Sequence, residues 1–74
     1  ILLTTSGNSA NQINAAKICK DLDIDVVSLT GNNGGEVLKL SDYNININSS
    51  STQRIQEMHI MIGHILCDII EDSL

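Results

Sequence analysis

Four hydroxyls stand close together around a glycine in the stretch TTSGNS, formed by Thr4, Thr5, Ser6, Gly7, Asn8 and Ser9, directly behind the apolar run ILL. Gly7 and Asn8 tolerate backbone angles that strain other residues and so favour a tight turn. Ser9 suits the N-cap of a following helix. A strand, a hydroxyl-rich turn and a helix N-terminus in succession collect unpaired backbone N–H groups, the positive end of a helix dipole and hydroxyl donors at one spot. That chemistry suits a phosphate, although the same residues also serve as ordinary turn and capping chemistry. A nucleotide P-loop is excluded, because no Gly-Lys-Ser/Thr ending is present and Lys17 lies about two turns into the helix. A dinucleotide fingerprint is absent as well. An anion here would meet neutral donors, which fits a sugar phosphate better than a triphosphate.

A second group of polar residues, Gln56, Glu57, His59 and His64, interrupts the apolar segment TQRIQEMHIMIGHILCDIIEDSL. His59 and His64 are five residues apart, about 140° around a helix axis, and cannot meet at one metal ion. Gln56 and His64 are only about 80° apart in rotation but roughly 12 Å apart along the axis, so spacing alone does not pair them. A histidine on a mostly apolar helix is commonly a satisfied packing residue.

These groups must be positioned by a small α/β framework. Ala10 to Leu22 reads as a helix with Ile13, Ala16, Ile18, Cys19 and Leu22 on a broad stripe. Ile24 to Thr30 is β-branched and nearly continuous in its apolar character, as in a parallel strand covered on both faces. The loop GNNGGE follows; it can cradle an anion, but plain turn chemistry accounts for it better. Glu36 to Leu40 forms about one helical turn. Asn44 to Asn48, NININ, alternates strictly and predicts a strand near a sheet edge, with isoleucines on one face and asparagines on a wet one. After the serines 49 to 51, a long helix runs from Thr52, its N-cap, to Leu74, with apolar residues around nearly its whole circumference. Such a helix is expected to be buried on most sides, by further chain or by another subunit. The order strand, helix, strand, short helix, strand, helix predicts a three-layer α/β/α architecture with a mainly parallel sheet.

Composition sets bounds on function. The 74 residues are 42% hydrophobic, with one Tyr and no Trp or Phe, so any core is small and built of aliphatic side chains. The segment reads as one that begins inside a larger domain. A formal charge of −5, with Lys17, Lys20, Lys39 and Arg54 as the fixed cations, argues against a nucleic-acid surface. No apolar run reaches the roughly 18 residues of a membrane span, which predicts a soluble protein. Cys19 and Cys67 lack metal or redox spacing and are expected to be buried, reduced thiols of a cytosolic protein.

The stretches TTSGNSANQINAA, SLTGNNGGEV and TQRIQEMHIMIGHILCDIIE together resemble the C-terminal half of the bacterial phosphoheptose isomerases, members of the sugar isomerase (SIS) superfamily. The resemblance covers nearly the whole chain and makes residues 1–74 the second half of a single SIS domain. It implies an aldose–ketose isomerase that interconverts sedoheptulose 7-phosphate and glycero-manno-heptose 7-phosphate through an enediol, for lipopolysaccharide heptose. It assigns the substrate phosphate to Thr4, Thr5, Ser6 and Ser9. Gln56 becomes a zinc ligand that also touches substrate, and His64 a zinc ligand and acid/base. The other ligands of the zinc ion, a His and a Glu, belong to the N-terminal half. A homotetramer in the cytoplasm, with no direct nucleic-acid or membrane partner, completes the implied picture. Replication-initiation regulators of the DiaA type share the RIQEMH stretch but carry Asn where His64 stands and Arg where Ser6 stands. Both positions here hold the isomerase residue. Gln53 stands where some isomerases have an Asp. Glu57 and His59 read as packing and subunit contacts.

Overall fold

A computed structural model describes residues 1–74 and places them in a three-stranded, fully parallel sheet flanked by helices. The elements are β1 (Leu2–Leu3), α1 (Ala10–Asp21), β2 (Val27–Gly31), α2 (Gly35–Lys39), β3 (Tyr43–Ile47) and α3 (Thr52–Ser73). The strands lie in the order β1-β2-β3, with Leu3 opposite Leu29 and Thr30 opposite Asn46. Alternation along β2 assigns the layers. The Ser28 hydroxyl pairs with Ser41, which donates to the carbonyl of Val37 in α2. Gly31, of opposite parity, abuts the side chain of Ile55 in α3. Helices α1 and α2, which touch each other, therefore cover one face of the sheet, and α3 covers the other. This is the three-layer arrangement anticipated from the sequence, and no helix is long and apolar enough to cross a membrane.

Helix α1 begins after Ser9 as expected and closes with a Schellman arrangement. Asp23 adopts a left-handed φ of 58° and donates its N–H to Lys20, while Ile24 donates to the carbonyl of Cys19. Of its predicted apolar stripe only Ala16 is fully buried; Ile18 and Leu22 are exposed. Central strand β2 is covered on both faces, with Ser28, Leu29, Thr30 and Gly31 all buried.

On edge strand β3 the expected wet face is covered, and Asn44, Asn46 and Ile47 are buried to a similar degree. Asn44 and Asn46 are half-buried, whereas Ile45 is 44% exposed. The cause is the buried hydroxyls of Ser28 and Thr30 on the adjoining strand, which need partners. Asn44 donates to both, at 2.8 and 3.0 Å, and Thr30 donates to Asn46 Oδ1 at 2.7 Å.

The expected N-cap of α3 is revised, and its apolar circumference is left largely uncovered within the chain, in keeping with a cover from further chain or another subunit. Its N-cap is Ser51, one residue earlier than Thr52, because Ser51 Oγ accepts from Arg54 N–H. Within this chain only Ile55 and His59 of the helix are buried, and Ile60, Met61, Ile65, Ile69 and Ile70 are exposed. Length explains the difference. Twenty-two helical residues extend about 33 Å, whereas a five-residue strand spans about 17 Å. The first turns lie on β2 and the rest run past the sheet. A compact chain of this length has a radius of gyration of about 11 Å; this one has 12.4 Å. Cys67, expected to be buried, is exposed on the overhanging part of α3; Cys19 is half-buried, and both are free.

Asp42 ties together the ends of the strands remote from the hydroxyl turn. Its carboxylate accepts the Val26 N–H at 2.6 Å and the Lys20 ammonium at 3.0 Å, and its own N–H donates to the Val26 carbonyl. The Val26 hydrogen bond, then that from Lys20, holds its pKa below the usual 3.8. A carboxylate with a lowered folded-state pKa contributes stability that is complete above the unfolded value and lost as pH falls through the folded one. The melting temperature should therefore drop on acidification below about pH 4, and Asp42→Asn should be less stable at neutral pH while showing a weaker acid-induced fall, measurable by thermal denaturation across that range.

Candidate active site

The turn between β1 and α1 is held from inside and from outside. Internally, Gly7 N–H donates to Thr4 Oγ1 at 3.2 Å, and Thr4 N–H ties the start of the turn to the Leu29 carbonyl of β2 at 3.0 Å. Externally, the loop after β2 closes over it. Asn32 donates its side-chain amide to the Thr5 carbonyl, Val37 N–H donates to the Gly7 carbonyl, and Asn8 Oδ1 accepts from Glu36 N–H in the first turn of α2. Gly7 has a φ of 74°, and a Cβ there would lie 1.9 Å from the Gly34 carbonyl oxygen. The loop GNNGGE is thus the clasp of the hydroxyl turn.

Helix α1 leaves the turn with its N-cap side chain free of a capping bond. Ser9 Oγ instead lies 3.4 Å from Thr4 Oγ1. One hydroxyl of this pair donates to the other, which leaves the hydrogen of the accepting hydroxyl available to an acceptor beyond them.

Thr4, Thr5 and Ser9 line an open cleft of about 880 Å³, and across it the α3 residues Gln56, His59, Gly63, His64 and Cys67 form the other wall. That volume is within the range of small-molecule sites. Leu3, Leu29, Ile60 and Ile70 supply apolar surface, and no lysine or arginine lines the space. On the wall formed by the turn an anion meets neutral hydroxyl and backbone donors. Of the residues that the family resemblance assigns to a site, all but one line this cleft. Ser6 does not line this cleft; its Oγ accepts the Asn8 N–H at 3.0 Å, and the residue borders a second, wholly polar depression with Asn32, Asn48 and Ser49.

Gln56 and His64 are both exposed to the cleft side of α3. The helix gathers them although their axial separation is large, because a long cleft beside the helix accommodates residues two turns apart. No group of three or more His, Cys, Asp or Glu residues in the chain is arranged to hold a metal. A glutamine oxygen and an imidazole nitrogen are both chemically able to donate to a metal ion, and Gln56 and His64 present one of each to the cleft.

Sequence reasoning undervalued His59. It is 7% exposed, and its Nε2 lies 2.8 Å from the Thr30 carbonyl oxygen, so its packing is within this chain. It nevertheless also lines the cleft. The available signal was its position three residues after Gln56, on the same helical face. Glu57, by contrast, forms an exposed pair with Arg54 at 3.1 Å and is remote from the cleft lining.

The SIS domain family profile matches residues 1–64. The chain belongs to the SIS domain family. The match contains the hydroxyl turn, its clasp and α3 as far as His64. A phosphoheptose isomerase of Aneurinibacillus thermoaerophilus is 49% identical over 72 residues, covering 97% of this chain and 36% of the relative. One from Helicobacter hepaticus is 51% identical over 71 residues, covering 96% and 36%. The solved structure of a phosphoheptose isomerase from Francisella tularensis superposes with a TM-score of 0.90 at 39% identity, over 96% of this chain and 41% of that one. The SIS segment described here therefore spans a little over a third of the length of those curated relatives.

Replacing Gly7 tests the clasp. Gly7→Ala combines a positive φ with a backbone clash, and is expected to destabilise by more than about 1 kcal/mol, visible as a lower denaturant midpoint with an unchanged slope. The same substitution at Gly63, where an added Cβ meets nothing within 4 Å, should be stabilising or neutral, as for an unencumbered helix position.

Proposed function

We propose that the protein carrying this chain is a phosphoheptose isomerase that interconverts sedoheptulose 7-phosphate and D-glycero-D-manno-heptose 7-phosphate, supplying heptose for lipopolysaccharide. The observation that carries this reading is the single cleft with the hydroxyls of Thr4, Thr5 and Ser9 on one wall and Gln56 and His64 on the other. In this reading residues 1–74 are the C-terminal half of one SIS domain, and the protein is a cytoplasmic homotetramer.

The sugar phosphate is anchored by neutral donors, Thr4, Thr5 and Ser9 from the cleft and the first N–H groups of α1; Ser6, assigned by the family resemblance, would have to turn its hydroxyl from Asn8 into the cleft to join them. Anchoring at the phosphate provides binding energy remote from the reacting carbons, which a rigid site can use to orient them. Isomerisation moves a proton between adjacent carbons through an enediol and so requires an acid, a base and stabilisation of a developing oxyanion. Gln56 orients the sugar hydroxyls, and His64 is the acid/base residue from this half of the site. The same two residues would hold a zinc ion together with a His and a Glu from the other half. When bound, zinc supplies Lewis-acid polarisation of the carbonyl.

Two substitutions in the full-length protein test these assignments. Ser9→Ala should raise KM for sedoheptulose 7-phosphate about tenfold, the effect of one hydrogen bond to a charged group, with melting temperature unchanged. His64→Asn should reduce turnover by at least about 100-fold and lower zinc content, again without a change in melting temperature. Wild-type protein that contains no zinc and isomerises no heptose phosphate would refute the assignment and favour a regulatory SIS protein.

A further inference from the structure

The buried imidazole of His59 has one nitrogen committed and one free. A carbonyl oxygen can only accept, so the nitrogen 2.8 Å from Thr30 O carries the hydrogen, and that nitrogen is Nε2. In the neutral ring the lone pair is then on Nδ1. Thr30 is itself immobilised, buried in the central strand, with its hydroxyl donating to Asn46 and accepting from Asn44. The tautomer is therefore imposed by a rigid strand. Nδ1 makes no hydrogen bond within the chain, yet the sole buried side-chain nitrogen or oxygen lacking a partner is Gln12 Oε1. Nδ1 thus remains in contact with open space, and the space that His59 lines is the cleft.

We propose that His59 is a substrate-binding residue whose Nδ1 accepts a hydrogen bond from a hydroxyl of the bound phosphosugar. This inference rests on the phosphosugar reading of the cleft and adds to it a determinant of specificity. The wall formed by the turn is rich in hydroxyl donors, matching the acceptor oxygens of a phosphate. A sugar chain also carries hydroxyl hydrogens, and these need acceptors. An imidazole nitrogen that bears only a lone pair accepts from a hydroxyl and repels a phosphate or carbonyl oxygen. It stands on the helix that carries Gln56 and His64, between the two in sequence, where the sugar rather than the phosphate would lie.

Two variants separate this role from that of pinning α3 to β2. Glutamine places its side-chain nitrogen near the position of histidine Nε2, so His59→Gln keeps a donor for Thr30 O and loses the acceptor at Nδ1. Asparagine places its amide near Nδ1, so His59→Asn leaves the Thr30 carbonyl unpaired. Binding of sedoheptulose 7-phosphate and of inorganic phosphate would be measured by calorimetry on the full-length protein, beside melting temperature and turnover. The expected result for His59→Gln is a wild-type melting temperature, sugar affinity about tenfold weaker and phosphate affinity unchanged. For His59→Asn the melting temperature falls. Wild-type sugar affinity in His59→Gln overturns the proposal and leaves His59 a packing residue. Equal weakening of sugar and phosphate in both variants overturns it too, since general distortion then accounts for the loss. Wild-type protein that binds the sugar without isomerising it refutes the isomerase reading alone, and the binding comparison still decides the role of His59.

Discussion

Everything in the cleft depends on a close approach of two backbones. Gly7 and the pair Gly34 and Gly35 meet so tightly that no side chain fits between them, and all three have positive φ. Only glycine satisfies both conditions at low cost. The approach lets Val37 N–H reach the Gly7 carbonyl and Asn8 reach Glu36 N–H, so the β1–α1 turn and the β2–α2 loop form one rigid unit. Hydroxyls mounted on a unit of this kind are held in place before any anion arrives. Loops that bind phosphate through neutral donors need such preorganisation, because they lack the long-range attraction of a lysine or arginine.

Rigidity is carried from this unit into the sheet by a chain of polar contacts. From the Thr5 carbonyl the path runs through the Asn32 side chain, and the Asn32 carbonyl accepts from Asn46. Asn46 accepts from Thr30, Asn44 bridges Thr30 and Ser28, and Ser28 meets Ser41, which donates to Val37. A buried polar network of this sort stabilises little relative to an apolar core, but it specifies geometry when its members are satisfied. Here it crosses the face of the sheet covered by α1 and α2 and fixes the position of Thr30, whose carbonyl lies on the path to α3 through His59. The turn and α3 are linked by this polar path through the central strand.

Much of this was legible from residue patterns, and the failures share a cause. The elements, their order and the parallel sheet followed from periodicity and turn chemistry, as did the grouping of hydroxyls behind β1. What misled was the equation of polar with exposed. NININ alternates cleanly, yet its asparagines turn inward because Ser28 and Thr30, two residues apart on the adjoining strand, present hydroxyls that require amide partners. Recognising this takes the register between strands, which a single segment does not contain. On α3 a helix longer than its sheet leaves Ile60, Ile65 and Ile69 uncovered within the chain, as expected of a helix whose cover comes from further chain or another subunit. The pairing of Gln56 with His64 was accessible only through family resemblance, since an i, i+8 spacing has no local signature.

The layout of α3 divides the cleft into two regions of different stiffness. Ile55 and His59 are its two buried residues, one against Gly31 and one against Thr30, and both lie in the first half of the helix. Gln56 stands between these anchors and inherits their rigidity. His64 lies more than a turn beyond the second anchor, on a stretch with no buried residue. Packing fixes an element only where neighbours surround part of it, so within this chain the backbone carrying Gln56 is anchored on both sides and the backbone carrying His64 is not. The chemistry proposed for this site needs His64 to be placed as accurately as Gln56. Whatever covers the exposed isoleucines of α3 in the full-length protein must therefore also set the position of His64, which couples burial of this helix to completion of the proposed site.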